Sequence, residues 1–570
     1  MQHNARVVIV GGGIMGASLL YHLAKEGWTD SVLIEKGELT SGSTWHAAGQ
    51  ISHSVSHYGL AKINGYGIEL YQRIEDETDQ AVSWHGCGSL RLAYNTDEVD
   101  WLRYTVSVNR GLGHQMEIIG PEEIRKLHPF YNLDGVLAAL HTPHDGHVDP
   151  AGACFALAKG AKQMGASVIR DNRATDIRAT ESGEWEVVTE QGSIVCEHVV
   201  NAGGTFARQI GEWVGLDLPI TNMTHHYLVT DPVPEFQGLA AELPVIRDDR
   251  LVSGYIRMEQ KSALIGIYEK ANPNTVWDDG TPWDSENELF PADYERIMPW
   301  LENAMGRMPI LENVGIRREV HGAITHPPDG NMLLGPAPGL RNFWCCCGSQ
   351  IGIAWGPGAG KYLAQWMIHG AAEINMRDFD PRRYGSFADR NYQITKAKED
   401  YLLRHEIPYP GFNRTDGRPK KTSALYQRLH DAGAIYEEIF GWERPRWFAR
   451  EGLPQQDVHS FRRAPWFEAV GEECRATRER VGIMDLSAFG KIDVSGPDAA
   501  RLMDRMIANR LPRKICGIVL THILNEKGTI EAEVTVTRLR DDHFYLASAA
   551  FSELRVQDWL EQHRRSGEAV

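Results

Sequence analysis

The chain has 570 residues and an apolar fraction of 42%, ample for buried cores. Its 59 Lys and Arg against 76 Asp and Glu leave a net charge of −17, which argues against a nucleic-acid or anionic-membrane partner. No apolar run approaches the roughly 18 residues needed to cross a bilayer, so membrane insertion is not expected, and the length prior allows roughly three or four domains.

The first core strand, Arg6-Val7-Val8-Ile9-Val10, begins almost at the start of the chain. That leaves no room for a secretory signal or an Arg-rich transit peptide and leads to the expectation of a cytoplasmic protein. The strand runs into Gly11-Gly12-Gly13-Ile14-Met15-Gly16 and then a helical pattern. Three glycines at these intervals are a weak signal alone, but here the context is right. Gly11 permits the tight turn, Gly13 lets backbone approach a pyrophosphate, and Gly16 lets the helix pack closely on the strand. A second apolar run, Ser31-Val32-Leu33-Ile34, ends in Glu35, 24 positions after Gly11, where a carboxylate can accept both ribose hydroxyls of an adenosine. Soon after comes Ser43-Thr44-Trp45-His46-Ala47-Ala48-Gly49, a loop placed to lie along a bound dinucleotide.

Further on, Glu184–Thr189 and Ser193–Cys196 read as a hairpin around Gln191-Gly192, and His198–Gly204 ends a strand on the small residues Ala202 and Gly203. Residues 216 to 320 carry alternating runs rich in Tyr and Trp, which predict an antiparallel sheet. Gly348–Ile353 turns into a helix through Lys361–Met367; at Gly352 and Ile353 the helix start can stabilise negative charge on a bound ring. The eight cysteines show neither paired CxxC spacing nor a matching histidine set, so no metal site is expected. Cys345-Cys346-Cys347 suits alternate faces of a buried strand.

These motifs resemble the flavin-dependent amine oxidoreductases of the D-amino-acid oxidase type, and within them the dimethylglycine and sarcosine dehydrogenases. The most specific segment is Ser43–Gly49, followed by Gly86–Leu92; His225–Thr230, Leu243–Asp248, Tyr255–Arg257 and Thr325–Gly330 add to it. The resemblance implies FAD, carried covalently by the histidine of the Trp-His pair, His46. Neutral imidazole is a competent nucleophile, and His53 and His57 are nearby competitors for that role. The cofactor-binding set expected is Gly11, Gly13, Gly16, Glu35, Lys36, Ser43, Thr44, His46, Ala202, Gly203, Gly352 and Ile353.

The activity implied is oxidative demethylation of an N-methyl amino acid, with N,N-dimethylglycine foremost and sarcosine or a methylated aminobutyrate as alternatives. Electrons would pass to an electron-transfer flavoprotein or to oxygen. A chain that only binds folate or acts as a scaffold is the reading from another class. His225 and Tyr255 match the family's active-site histidine and tyrosine; His225 is expected to relay a proton and Tyr255 to position the amine. His226 stands beside His225 where the family has another residue, so either imidazole can face the flavin. Arg257, with a planar guanidinium suited to bidentate contact, is the candidate for the substrate carboxylate, a surface ion pair being the alternative.

The expected fold is α/β and α+β: a Rossmann-type FAD-binding domain with an antiparallel-sheet substrate domain, then a linker domain and a partial aminomethyltransferase-like domain. Residues 1–375 form the oxidoreductase region, with FAD-binding pieces at about 1–95, 140–215 and 320–375 and sheet pieces at about 96–139 and 216–319. Residues 376–435 connect to 436–570, which is similar to the folate-binding aminomethyltransferase of the glycine cleavage system in Val494–Ala499 and Leu524–Val536. There tetrahydrofolate would trap the one-carbon unit, with Glu533 at the place of that fold's acidic residue; an outward charge on an alternating strand is the other reading of Glu533. The region stops short of the resembled length, which leads to the expectation of an incomplete folate domain with unpaired sheet edges.

Overall fold

A computed structural model describes residues 3–570. The glycine-rich segment forms as its sequence requires. Strand Asn4–Val10 is apolar on both faces, and helix Ile14–Lys25 follows with Leu19, Leu20 and Leu23 fully buried, each contributing about 2 kcal/mol of apolar burial. Gly11, between them, has φ +119°, a conformation that favours glycine, and a Cβ there would stand 2.3 Å from the carbonyl oxygen of Ala202.

The first sheet has the order Leu333–Pro336, Phe343–Cys347, Gly192–Asn201, Asn4–Val10, Ser31–Ile34, Ser167–Ile169, with Trp185–Thr189 and Ala174–Ala179 branching from Gly192–Asn201. From Phe343–Cys347 to Ser167–Ile169 neighbouring strands are parallel, as strands buried on both faces tend to be. Helices Ile14–Lys25, Pro150–Gln163 and Gly352–His369 share the core on one face of this sheet. The three consecutive cysteines alternate as expected: Cys346 faces that core, while Cys345 and Cys347 face the core on the opposite side.

The second sheet has the order Ile316–His326, Thr221–Thr230, Ser262–Ile267, Gly254–Glu259, Val245–Asp248, Ser89–Ala93, Ala138–Thr142, Glu117–Ile119. Two expectations change here. The sheet is antiparallel except where Val245–Asp248 runs parallel to Ser89–Ala93. Strands Ser89–Ala93, Ala138–Thr142 and Ile316–His326 also belong to it, so the piece boundaries near 95, 140 and 320 cut through or beside its strands. The partner that draws Ser89–Ala93 into this sheet is far away in the chain, so no local change of composition marks the crossing. Helix Tyr294–Arg307 covers the outer face through Ile297, Leu301 and Ala304.

Beyond the sheets, helix Arg390–Leu402 starts on Asp389, whose carboxylate accepts from the Tyr392 amide. It lies against strand Thr221–Thr230. The C-terminal part holds a hairpin, Ala434–Ile439 with Trp442–Phe448, and an antiparallel sheet ordered Gly490–Ser495, His543–Ser548, Ile530–Arg540, Ile518–Leu524. Helices Ala499–Met506 and Glu553–Gln562 cover one of its faces with Leu502, Met503, Val556 and Leu560. No helix among the described residues is long and apolar enough to cross a membrane.

Candidate active site

An elongated cavity runs from the glycine-rich turn of the first sheet to one face of the second, lined at one end by Gly11, Glu35 and Lys36 and at the other by His225, Arg247 and Tyr255. At the first end, Glu35 accepts from the Gly12 amide at 2.6 Å and the Gly37 amide at 3.2 Å. Burial raises its pKa, and those amides oppose the rise. Lys36 donates to the Ser285 carbonyl at 2.7 Å and lies over the Phe206 ring. Phe206, Trp283 and Trp213 form a stacked slab beside it, with centroids 5.4 and 5.3 Å apart, an apolar platform of the kind a flat base can lie on.

The loop carrying His46 is fixed by its own side chains. Thr44 Oγ1 accepts from the Ile14 amide at 3.1 Å, capping the helix after the glycines, and Ser43 Oγ donates to the Ala323 carbonyl at 2.6 Å. His46 is 6% exposed, and burial lowers its pKa to about 4, so the imidazole is neutral at ordinary pH. Its ring rests on the second sheet at Gly322, where a Cβ would come within 2.4 Å of Cε1. Gly322 is the register partner of His225, which brings His46 and His225 to the same face of the sheet. His53 is instead bound to Asp145 at 2.8 Å, and His57 pairs with Asp378 at 3.1 Å; neither lines the cavity.

Strand register builds the other end. Val320, Tyr227, Gly266, Tyr255, Arg247 and Arg91 lie in one row across the sheet, each opposite the next, and Gly266 leaves the space that the Tyr255 ring fills. His225 shares this face by the two-residue period, while His226 points to the opposite one, stacked on His321 at 3.5 Å and 3.0 Å from Arg296. His225 is therefore the imidazole in the cavity. It stacks on Tyr268 at 4.1 Å, and burial first, then the charges of its neighbours, hold its pKa well below the usual value.

His225 Nδ1 lies 3.2 Å from the Tyr401 hydroxyl, which donates to Glu269 at 2.8 Å. Because that hydroxyl spends its proton on the carboxylate, it accepts from His225, which places the hydrogen on Nδ1 and leaves the Nε2 lone pair without a protein partner. Glu269 is fully buried, and burial raises its pKa to about 7. The Arg296 Nε, 3.0 Å from its other oxygen, opposes this but is not aligned as a hydrogen bond, so burial prevails.

Arg257 does not reach the cavity. Its guanidinium donates to the Met258 carbonyl at 2.7 Å and the Ala48 carbonyl at 2.9 Å and pairs with Glu259 at 2.7 Å, so it braces the His46 loop instead of offering a free face to a carboxylate. Arg247, inside the Leu243–Asp248 motif, lines the cavity with its Nε unpartnered, and Arg404 joins it from the turn after helix Arg390–Leu402. Asp249 is pushed up by burial but held well below the usual carboxylate range by Arg91, Arg247 and His405; it fixes Arg247 through a 3.3 Å contact. Strand alternation could have found Arg247; Tyr401, Arg404 and Glu269 carry no local signal.

Ala202, Gly203, Gly352 and Ile353 line the middle of the cavity, together with Gly13, while Gly16 lies behind the turn, where a Cβ would meet the Gly11 carbonyl oxygen at 2.0 Å. Ser349 Oγ and Gln350 Oε1 add further buried polar atoms without protein partners along the lining. The acid Glu35 at the end of the second strand, an aromatic slab, a helix start and unpaired polar atoms together fit a bound FAD. Glu533 lies apart from this cavity, outward-facing on strand Ile530–Arg540 and 3.2 Å from His522.

Fold and cavity together have the form of a dinucleotide-binding protein, a largely parallel sheet with a glycine-rich turn joined to a second, mixed sheet. Residues 6–366 match the family described as FAD dependent oxidoreductase, 369–423 its central domain, and 425–570 the GCVT N-terminal domain. The chain belongs to the FAD dependent oxidoreductase family. It is 40% identical over 569 residues to mitochondrial dimethylglycine dehydrogenase of Homo sapiens, covering 99% of this chain and 65% of that protein. It is 32% identical to the formaldehyde-forming 4-methylaminobutanoate oxidase of Paenarthrobacter nicotinovorans, covering 100% of this chain and 68% of that one. The L-proline dehydrogenase structure from P. horikoshii shares the fold, with a TM-score of 0.60 at 24% identity over 67% of this chain and 98% of that chain. The chain thus spans about two thirds of the length of the curated relatives it matches.

Proposed function

We propose that this chain oxidatively demethylates an N-methyl amino acid, N,N-dimethylglycine foremost. The observation that carries this is an imidazole with a free Nε2 and an arginine with an unpaired Nε on one face of a dinucleotide cavity. The similarity to dimethylglycine dehydrogenase supports the substrate class. When bound, FAD supplies the hydride acceptor.

The protein's own residues prepare the amine. Arg247 and Arg404 hold the carboxylate, and the Tyr227, Tyr255 and Tyr268 rings wall the N-methyl groups from water. A tertiary ammonium has no lone pair to stabilise the forming iminium, so its proton must leave first. His225 Nε2 accepts that proton. Burial disfavours an imidazolium there, so the Nδ1 hydrogen passes to Tyr401 and the Tyr401 hydrogen to Glu269. The iminium then hydrolyses to the demethylated amine and formaldehyde. His46, neutral and beside His225, is proposed as the covalent anchor of the FAD.

For residues 425–570 we propose tetrahydrofolate as the ligand that takes up the one-carbon unit, with Glu533 as its acidic contact. The eight cysteines are unpaired, which supports a reducing compartment such as the cytoplasm. Incubation with dimethylglycine and an artificial electron acceptor is expected to release formaldehyde in step with acceptor reduction; acceptor reduction without formaldehyde would refute demethylation. The similarity to 4-methylaminobutanoate oxidase favours a second reading, an oxygen-using oxidase of a longer substrate. Peroxide formed in air with that substrate, and not with dimethylglycine, would select it.

A further inference from the structure

His85 and His147 face each other across a short antiparallel bridge, with the His85 amide donating to the His147 carbonyl at 2.9 Å and the His147 amide to the His85 carbonyl at 3.1 Å. A mutual pair of this kind sends both side chains to one face. Their imidazoles stack at 4.7 Å with planes 7° apart. Glu242, from the loop before strand Val245–Asp248, reaches both rings: Oε2 is 2.8 Å from His85 Nδ1 and Oε1 is 2.5 Å from His147 Nε2. One ligand atom from each of the three residues lies within 4.8 Å of the others. None of the three lines the dinucleotide cavity.

We propose that His85, His147 and Glu242 bind a divalent cation of the zinc class. Two imidazole nitrogens and one carboxylate oxygen are a donor set such ions take, with Zn–N and Zn–O distances of about 2.0–2.2 Å. The Glu242 oxygens now share hydrogens with the two ring nitrogens; an ion would displace those protons, and small rotations of three side chains open the space between the ligand atoms for it. The backbones of the two histidines are already locked by their mutual hydrogen bonds, so few degrees of freedom remain to be ordered. His147 is buried and His85 exposed, which anchors the ion on one side and leaves solvent to complete its coordination on the other. A cation would also neutralise the Glu242 carboxylate between two closely stacked rings.

The three ligands come from segments beside neighbouring strands of the second sheet, where Val245 pairs with Ser89 and Ser89 with Thr142. His147 lies in the ribbon Gly146–His147, which pairs with Gln50–Ile51 next to the His46 loop; Glu242 precedes the strand carrying Arg247. The ion would clamp the loop at Glu242 to that ribbon. Its role is structural, and no step of the demethylation passes through it. The histidines are 62 positions apart and the glutamate a further 95, so no metal-binding spacing appears in the sequence.

The test uses the FAD-loaded full chain, stripped with a chelator, dialysed and titrated with zinc chloride. One Zn²⁺ bound per chain is expected, with a rise in Tm on binding. His85→Ala and Glu242→Gln should each weaken binding by about tenfold or more and remove the Tm rise. His85 is exposed, and Glu242→Gln keeps the side-chain volume, so flavin absorbance and circular dichroism of both variants should match the parent. Failure of the parent to bind zinc saturably, or binding of equal strength in both folded variants, would overturn the proposal. If His85→Ala does not fold, Glu242→Gln alone decides it by the same criterion.

Discussion

Glu269 joins burial to reactivity more directly than any other side chain near the cavity. Its pKa of about 7 means that it holds a proton at pH 6 and has released it at pH 8, so only the higher pH leaves it able to receive one from Tyr401. The rate with dimethylglycine should therefore rise through about pH 7, and Glu269→Gln should remove that limb while lowering kcat by roughly 10²–10⁴-fold, as read from pH–rate profiles. Stability runs the other way. Between about 4.5 and 7 the folded chain keeps a proton that the unfolded chain releases, so this residue's stabilising contribution is complete below that window and lost as pH rises through it. Denaturant melts of parent and Glu269→Gln across these pH values should show the slope only in the parent. The arginines separate two roles: Arg247→Lys should raise KM for the amino acid, whereas Arg257→Ala should loosen the His46 loop and lower flavin content with little change in KM per bound flavin.

At the scale of elements, the substrate end depends on register between strands and on a helix brought in from residues 390–402. Tyr401→Phe removes one hydroxyl from a buried chain of hydrogen bonds and should cut the rate as Glu269→Gln does while leaving the flavin spectrum intact. Gly322→Val forces a side chain into the space of the His46 ring and should reduce bound flavin, measured as absorbance per protein. The glycine turn, its flanking strands, Glu35 and the alternating cysteines were legible because each is a local pattern: an apolar run, a turn residue, a period of two. Arg257 qualifies in the sequence by its planar guanidinium, and a residue type says nothing of the Ala48 and Met258 carbonyls to which that guanidinium donates. The parallel pairing of Ser89–Ala93 with Val245–Asp248, and the arrival of Tyr401 and Arg404, join residues more than 100 positions apart, which no window of sequence displays.

Across the whole molecule, apolar surface is distributed unevenly. The strands Ile518–Leu524 and Ile530–Arg540 expose Ile518 at 67%, Leu520 at 57% and Ile530 at 60%, on the face away from the helices that cover the C-terminal core. Surface of this kind promotes association. Replacing these three residues with threonine should slow aggregation, followed by light scattering, without altering flavin content or rate, because the cavity lies at the two eight-stranded sheets. We propose that an FAD lies along that cavity with His46 and His225 at its reactive end. Anaerobic mixing of the purified, FAD-loaded chain with dimethylglycine tests it most directly. Bleaching of the visible flavin band is expected, slowed at least about tenfold in His225→Ala; a band left unchanged by dimethylglycine, sarcosine and 4-methylaminobutanoate alike would contradict this placement.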